Sequence, residues 1–211
     1  MKVVIISGGN SPSYTLIKKE LRGSEYLIAA DSGANALFKY DIFPDCIIGD
    51  LDSIKSTALN YYKNRNISII EYPPEKDSTD TEIAINRAIK LGATEIVLLG
   101  CTGSRVDHVF GNIGMLLKCL NLGVLCSIKD DNNTIILKDK STKLKGNIGD
   151  TFSLIPYSEK VNNLNIIGAK YPLIDYNLKF GSALGISNVF EEEEVKIEFD
   201  SGKLLIICSK D

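Results

Sequence analysis

Cys46-Ile47-Ile48-Gly49-Asp50-Leu51-Asp52-Ser53 sets an unbroken apolar run directly before a glycine and two aspartates. An apolar run this short, with no polar alternation, reads as a strand buried on both faces, and the small and acidic residues after it read as the turn leaving the sheet. The pattern recurs in both directions. Upstream, Val3 to Ser7 leads into Gly8-Gly9-Asn10, and Tyr26 to Ala30 leads into Asp31-Ser32-Gly33. Downstream, Ile67 to Tyr72 precedes a second acidic group, Lys76-Asp77-Ser78-Thr79-Asp80, and Glu95 to Leu99 leads into Gly100-Cys101-Thr102-Gly103. Val124 to Ile128 is a sixth run of this kind. Amphipathic segments separate the runs, and Ser11-Pro12 is expected to cap and open the first helix. Apolar strands alternating with helices predict a mostly parallel, doubly wound, Rossmann-like α/β domain. In such a sheet, Asp31, Asp50, Asp52, Asp77, Asp80 and residues 100–103 gather at the C-terminal strand ends, where ligands bind.

After about residue 130 the helical periodicity stops. Short strand-like runs follow at 134–137, 151–155, 164–167, 195–199 and 204–208. Asp200-Ser201-Gly202-Lys203 reads as a hairpin turn between the last two. The expected division is an α/β domain over residues 1–130 and an all-β sandwich over 131–211. The run Glu191 to Glu194 reads as a solvated loop or edge.

A formal charge of −3, from 24 basic and 27 acidic residues, argues against a nucleic-acid binder that works by phosphate neutralisation. The five cysteines are scattered without CxxC spacing, so they read as buried thiols in a reducing compartment. No apolar run reaches membrane-spanning length and none resembles a leader peptide, so the expectation is a cytoplasmic protein with no membrane partner.

Asp50 and Asp52 are two apart, so on an extended segment their carboxylates point the same way and can share a hard cation such as Mg²⁺. The alternative is that this segment only caps a helix from Ile54 onward. Thr79 and Glu82 fit a capping box for a helix over residues 80–91, which accounts for them without a ligand but leaves Lys76 and Asp77 unexplained. The glycine loop at 100–103 feeds Ser104-Arg105 and a helix, a natural anion site with a bidentate donor, although the P-loop spacing is absent. A lone histidine such as His108 is more often structural than catalytic. Acid clusters for a metal, an arginine-bearing anion loop and a lysine together suit phosphoryl transfer.

In their order and spacing, several motifs resemble the bacterial thiamine pyrophosphokinase family. They are Ala30-Asp31-Ser32-Gly33-Ala34-Asn35, Pro44-Asp45 with Gly49-Asp50-Leu51-Asp52-Ser53, Lys76-Asp77-Ser78-Thr79-Asp80, Gly103-Ser104-Arg105-Val106-Asp107-His108, Gly168-Ala169-Lys170-Tyr171-Pro172-Leu173, and Gly185-Ile186-Ser187-Asn188. The resemblance implies an N-terminal domain for ATP and Mg²⁺ and a β-sandwich contributing to the thiamine pocket. It also implies a homodimer with sites between subunits, and transfer of the diphosphate of ATP to the thiamine hydroxyl. It places Asp50, Asp52 and Asp80 on the metal, makes these three with Asp77 and Arg105 the catalytic set, and puts Asp31, Gly33, Asn35, Lys76, Thr79, Gly103, Arg105, Asp107 and His108 on the nucleotide side. Tyr171, Ser187 and Asn188 fall on the thiamine side, with tyrosine where some members carry tryptophan. Two rival readings are a diphosphokinase for another heterocyclic alcohol and a non-catalytic nucleotide- or thiamine-binding module.

Overall fold

The computed structural model describes residues 1–75 and 77–210; Lys76, expected beside the phosphates, lies outside the described residues. The chain divides into two compact units, residues 1–131 and the residues from Asn132 onward.

In the first unit, strands β1 (Lys2–Ile6), β2 (Tyr26–Ala30), β3 (Cys46–Gly49), β4 (Ser68–Glu71), β5 (Glu95–Leu99) and β6 (Leu125–Lys129) form parallel pairs in the order β4-β3-β2-β1-β5-β6. The opening stretch sits where its apolarity requires, with Ile47 registered between Ala29 and Ile69 and fully buried. Helices α1 (Tyr14–Leu21), α2 (Gly33–Lys39) and α3 (Ser56–Lys63) bury Ile17, Leu37, Ala58 and Tyr62 against one face of the sheet. Helix α4 (Asp80–Lys90) packs on β1, β2 and β3 through Ala84, Ile85 and Ala88, and α5 (Val106–Asn121) packs on β6. Each fully buried Ile or Leu contributes about 1.5–3 kcal/mol, so this two-sided burial holds the sheet between its helix layers. The chain winds outward from β1 through β2, β3 and β4, then returns to β5 on the other side. The switch point therefore lies between β1 and β5, and a crevice opens there.

The first helix starts later than its sequence suggests. Ser13, not Ser11, is the cap, and its Oγ accepts from Leu16 N at 3.2 Å. Pro12 precedes the cap, where its fixed φ suits the extended approach.

The second unit packs two antiparallel sheets. One contains β12 (Asn188–Val189), β9 (Thr151–Pro156), β14 (Leu204–Ser209) and β7 (Asn133–Lys138), and the other β11 (Leu173–Lys179), β10 (Lys160–Ile167), β13 (Glu194–Glu198) and β8 (Thr142–Lys145). Phe152, Leu154, Leu164, Phe190, Val195 and Ile206 fill the space between them. Residues 199–203 are not a hairpin turn. β13 pairs with β10 and β8, whereas β14 pairs with β7 and β9, so the connection crosses between sheets. Gly202, at φ 109°, permits the crossing, since a Cβ there would lie 2.5 Å from Lys160 O. Among the described residues no helix is long and apolar enough to cross a membrane.

Candidate active site

The strands of the first unit end nearly flush, and the loops beyond them line a cavity of about 610 Å³. Its floor is a backbone zipper between the loops after β1 and β5. Ser7 N donates to Leu99 O at 2.8 Å, Gly9 N to Gly100 O at 2.8 Å, and Asn10 N to Thr102 O at 2.7 Å. Only glycine fits at position 9, where a Cβ would stand 2.2 Å from Thr102 O. Asn112, on α5, holds the same loop by donating from Nδ2 to Cys101 O at 2.9 Å. Burial pushes the Cys101 thiol up to about 12, with the Ser7 hydroxyl pulling weakly the other way, so it is inert as a nucleophile.

The acids converge on one wall. Among the described residues, Asp31, Asp50 and Asp52 form a group with one carboxylate oxygen from each lying within 4.8 Å of the others. Asp31 follows β2, at φ 45°, and its amide donates to Ile48 O of β3 at 2.8 Å. Its Oδ1 is buried without a hydrogen-bond partner among the described residues. Burial raises the Asp31 pKa, the Ser32 amide opposes that, and the charges of Asp80 and Asp50 add to it. A buried, unsatisfied carboxylate oxygen among further carboxylates has the donor chemistry of a hard divalent cation site.

Asp50 and Asp52 come together differently from the extended segment expected of them. Leu51 between them is left-handed, at φ 66°, and the chain turns: Asp52 N donates to Asp50 Oδ1 at 3.3 Å and Ser53 Oγ to Asp52 Oδ1 at 2.8 Å. Leu51 and Ile54 reach down into the core and anchor the turn. The physical reason is that β3 ends at Gly49, so the next three residues follow the demands of apolar anchoring and not of a ladder.

Asp80 enters the cavity as the first residue of α4. Thr79 caps the helix, its Oγ1 accepting from Glu82 N at 3.2 Å. Glu82 does not return the bond in capping-box fashion; it pairs with Lys118 of α5 at 2.8 Å. Behind Asp80, the buried hydroxyls of Thr81 and Ser7 share a hydrogen bond of 2.9 Å, tying α4 to the end of β1.

Of the expected residues, Asp31, Asp50, Thr79, Asp80, Gly103, Arg105 and His108 line the cavity. Asp52 joins through the acid group, while Asp77 is exposed and not among the lining residues. Arg105 occupies the position before α5 without a side-chain capping bond and forms an exposed 2.6 Å ion pair with Asp107, whose carboxyl its hydrogen bond holds down at about 2. Gly33 and Asn35 do not line the cavity. A Cβ on Gly33 would lie 1.9 Å from Ile6 O, and the Asn35 amide is bonded to the backbone of Ser53 and Lys55. Ser7, Gly8, Gly9, Asn10, Thr81 and Asn112 line the cavity without having been picked from the sequence. The signal for 7–10 was present, since a glycine pair after β1 sits on the same sheet edge as the other turns.

In the second unit, Tyr171 is 55% exposed and Lys170 Nζ stands 5.6 Å over its ring. Asn188 is buried and turns its amide on Tyr171's backbone, accepting from Tyr171 N at 3.0 Å and donating to Tyr171 O at 2.8 Å. Ser187, at φ 56°, donates its amide to Ser153 Oγ at 3.1 Å.

Comparison with known proteins covers both units. Residues 17–128 match the family model described as thiamin pyrophosphokinase, catalytic domain, and residues 134–204 match thiamin pyrophosphokinase, vitamin B1 binding domain. A thiamine pyrophosphokinase of Bacillus subtilis is 31% identical over 193 residues, covering 87% of each chain. A crystal structure of thiamine pyrophosphokinase from Bacillus subtilis superposes with a TM-score of 0.91 at 27% identity, covering 100% of both chains. The Geobacillus thermodenitrificans thiamin pyrophosphokinase gives 0.88 at 30% identity, covering 100% of this chain and 98% of the other.

Proposed function

The chain belongs to the thiamin pyrophosphokinase family, and from that premise we propose that it transfers the diphosphate of ATP to the hydroxyl of thiamine by direct in-line displacement, giving thiamine diphosphate and AMP. The thiamine hydroxyl oxygen bonds to the β-phosphorus, and the bond from that phosphorus to the oxygen bridging to the α-phosphorus breaks. The AMP phosphate takes the electron pair, and the hydroxyl proton passes to a carboxylate, for which Asp80 is better placed than the exposed Asp77. The first unit takes ATP and the second contributes the thiamine side.

Asp31, Asp50 and Asp52, with Asp80 at the same wall, are the residues that would hold Mg²⁺, which when bound neutralises phosphate charge and acts as a Lewis acid. Asp31 thus joins the metal set drawn from the sequence. The zipper between the loops after β1 and β5 keeps the floor rigid, and the start of α5 presents the positive end of its helix dipole to phosphate oxygens. Arg105 exchanges Asp107 for phosphate. Tyr171, with its backbone held by Asn188, offers an aromatic face to the thiazolium cation.

The observation that carries this reading is the convergence of the acid group, the α4 N-terminus and the glycine–arginine loop on one cavity at the strand ends. The test is product identity. With thiamine, ATP and Mg²⁺, the protein should release AMP and not ADP, and should release none when thiamine is omitted. ADP as product, or AMP release that thiamine does not affect, overturns it. We further propose a homodimer, as an arrangement in which one subunit's thiamine side completes the other's nucleotide side.

A further inference from the structure

We propose that Asn35 is a positioning residue for the metal-holding turn: its side-chain amide pins Asp50-Leu51-Asp52-Ser53 to α2 and so sets the distance of the Asp50 and Asp52 carboxylates from Asp31. The inference rests on the reading of that acid group as a Mg²⁺ site.

Asn35 Nδ2 donates to Ser53 O at 3.1 Å, and Lys55 N donates to Asn35 Oδ1 at 2.9 Å. The two backbone groups have opposite polarity, so they fix which end of the amide faces which. The same first turn of α2 carries Asp31: Ala34 N donates to Asp31 O and Asn35 N to Ser32 O, both at 3.0 Å. One short piece of helix therefore holds one carboxylate through its backbone and the other two through one side chain.

The turn needs such a brace. Leu51 is in the left-handed region, which disfavours residues with a Cβ by about 1–2 kcal/mol. The carboxylates of Asp31, Asp50 and Asp52 crowd around it, with an oxygen of each within 4.8 Å of the others, so small displacements of the turn change their spacing. Leu51 and Ile54 anchor the turn from below, but apolar contacts are non-directional and leave its lateral placement loose. The two directional bonds from Asn35 supply that placement. Serine and threonine are too short to span both groups, glutamine adds a rotatable bond, and aspartate has no donor for Ser53 O.

The experiment compares wild type, Asn35→Ala, Asn35→Asp, and Phe38→Leu. Phe38 lies on the same helix and packs on Tyr61 and Tyr62, and its side chain makes no hydrogen bond to the turn, so its variant controls for loosening of α2. Mn²⁺ binding is measured by electron paramagnetic resonance with α,β-methylene-ATP present, and the Mg²⁺ concentration for half-maximal thiamine diphosphate formation is measured separately. Asn35→Ala should weaken Mn²⁺ binding and raise the Mg²⁺ requirement by the same factor, about tenfold to a hundredfold, as loss of a residue orienting metal ligands does. KM for thiamine should hold, and saturating Mg²⁺ should restore kcat. Asn35→Asp keeps the acceptor for Lys55 N and sets an oxygen against Ser53 O, so it should be at least as impaired; it carries the test if the alanine variant does not fold. Phe38→Leu should match wild type in both metal measurements. Wild-type Mn²⁺ binding in both Asn35 variants, or an equal loss in Phe38→Leu, overturns the inference alone. Absence of Mn²⁺ binding by wild type overturns the metal-site reading and the inference with it.

Discussion

Asp31 and Leu51 carry the strain of the site: an aspartate with a buried oxygen and a leucine in a glycine-like conformation, set on adjacent loops. Such costs persist only where surrounding structure over-determines them, and here the β2–β3 ladder, the core beneath Leu51 and the Asn35 amide do so. Asp52 is exposed, so its carboxylate contributes charge at the turn and little packing. We expect Asp52→Asn and Asp80→Asn to keep the wild-type circular dichroism spectrum while losing turnover by at least about a hundredfold, the scale of removing one preorganised charge from a transfer site. Near-normal turnover of either variant with Mg²⁺ and ATP would remove that residue from the metal set. The aspartates were legible in the sequence because small acids directly after a buried strand have few structural uses. Asn35 and Asn188 were legible only as polar residues in the right places. An amide that braces a backbone and one that contacts a ligand share a letter, and only their bonding partners distinguish them.

Helices here matter for where they begin and what ties them down. Helix α4 delivers Asp80 because Thr79 caps it, Thr81 is bonded to Ser7, and Glu82 is bridged to Lys118. The cap was readable from spacing; the cross-links to β1 and α5 were not, since each joins residues far apart in the chain. Helix α1 shows the same device away from the site. Glu20, buried on α1, accepts from Lys129 of β6 at 2.9 Å and Lys2 of β1 at 3.4 Å. Burial pushes its pKa up, but the bonds and charges of Lys129 and Lys2 together outweigh it, leaving the pKa below the ordinary glutamate range. A carboxylate with a lowered folded pKa stabilises the fold above its unfolded pKa, and that contribution is lost as pH falls through the folded one. Glu20→Gln should therefore lower stability by about 2 kcal/mol at neutral pH, read by urea unfolding, with the gap narrowing below about pH 4. A gap that is constant with pH would show that the ion pairs contribute nothing.

At the scale of the molecule, the α/β half was written plainly in the sequence and the β half only partly. Buried parallel strands announce themselves as unbroken apolar runs, as Cys46-Ile47-Ile48 does. Strand β11 has an exposed, mixed surface, with Ile174 at 79% exposure, and offers no alternation to detect. The crossing at 199–203 mimics a hairpin because the local letters are those of a turn, while partner choice depends on the whole sandwich. The proposed dimer predicts a light-scattering mass of about twice the 23.1 kDa chain at micromolar concentration; a monomer mass there would remove the shared-site arrangement. The strand order also sets the character of the cavity floor. Gly9 and Asn10 turn their amides inward, onto Gly100 and Thr102, so two donors that a phosphate-cradling glycine loop would aim at its ligand are used to rivet the fold shut. On the proposed reading a nucleotide would be gripped mainly through charge, by Arg105 and a cation among carboxylates, over a floor whose Gly9 and Asn10 amides are already bonded within the fold. A grip of that kind slackens as salt is added, because exposed charges are screened where inward-turned backbone bonds are not.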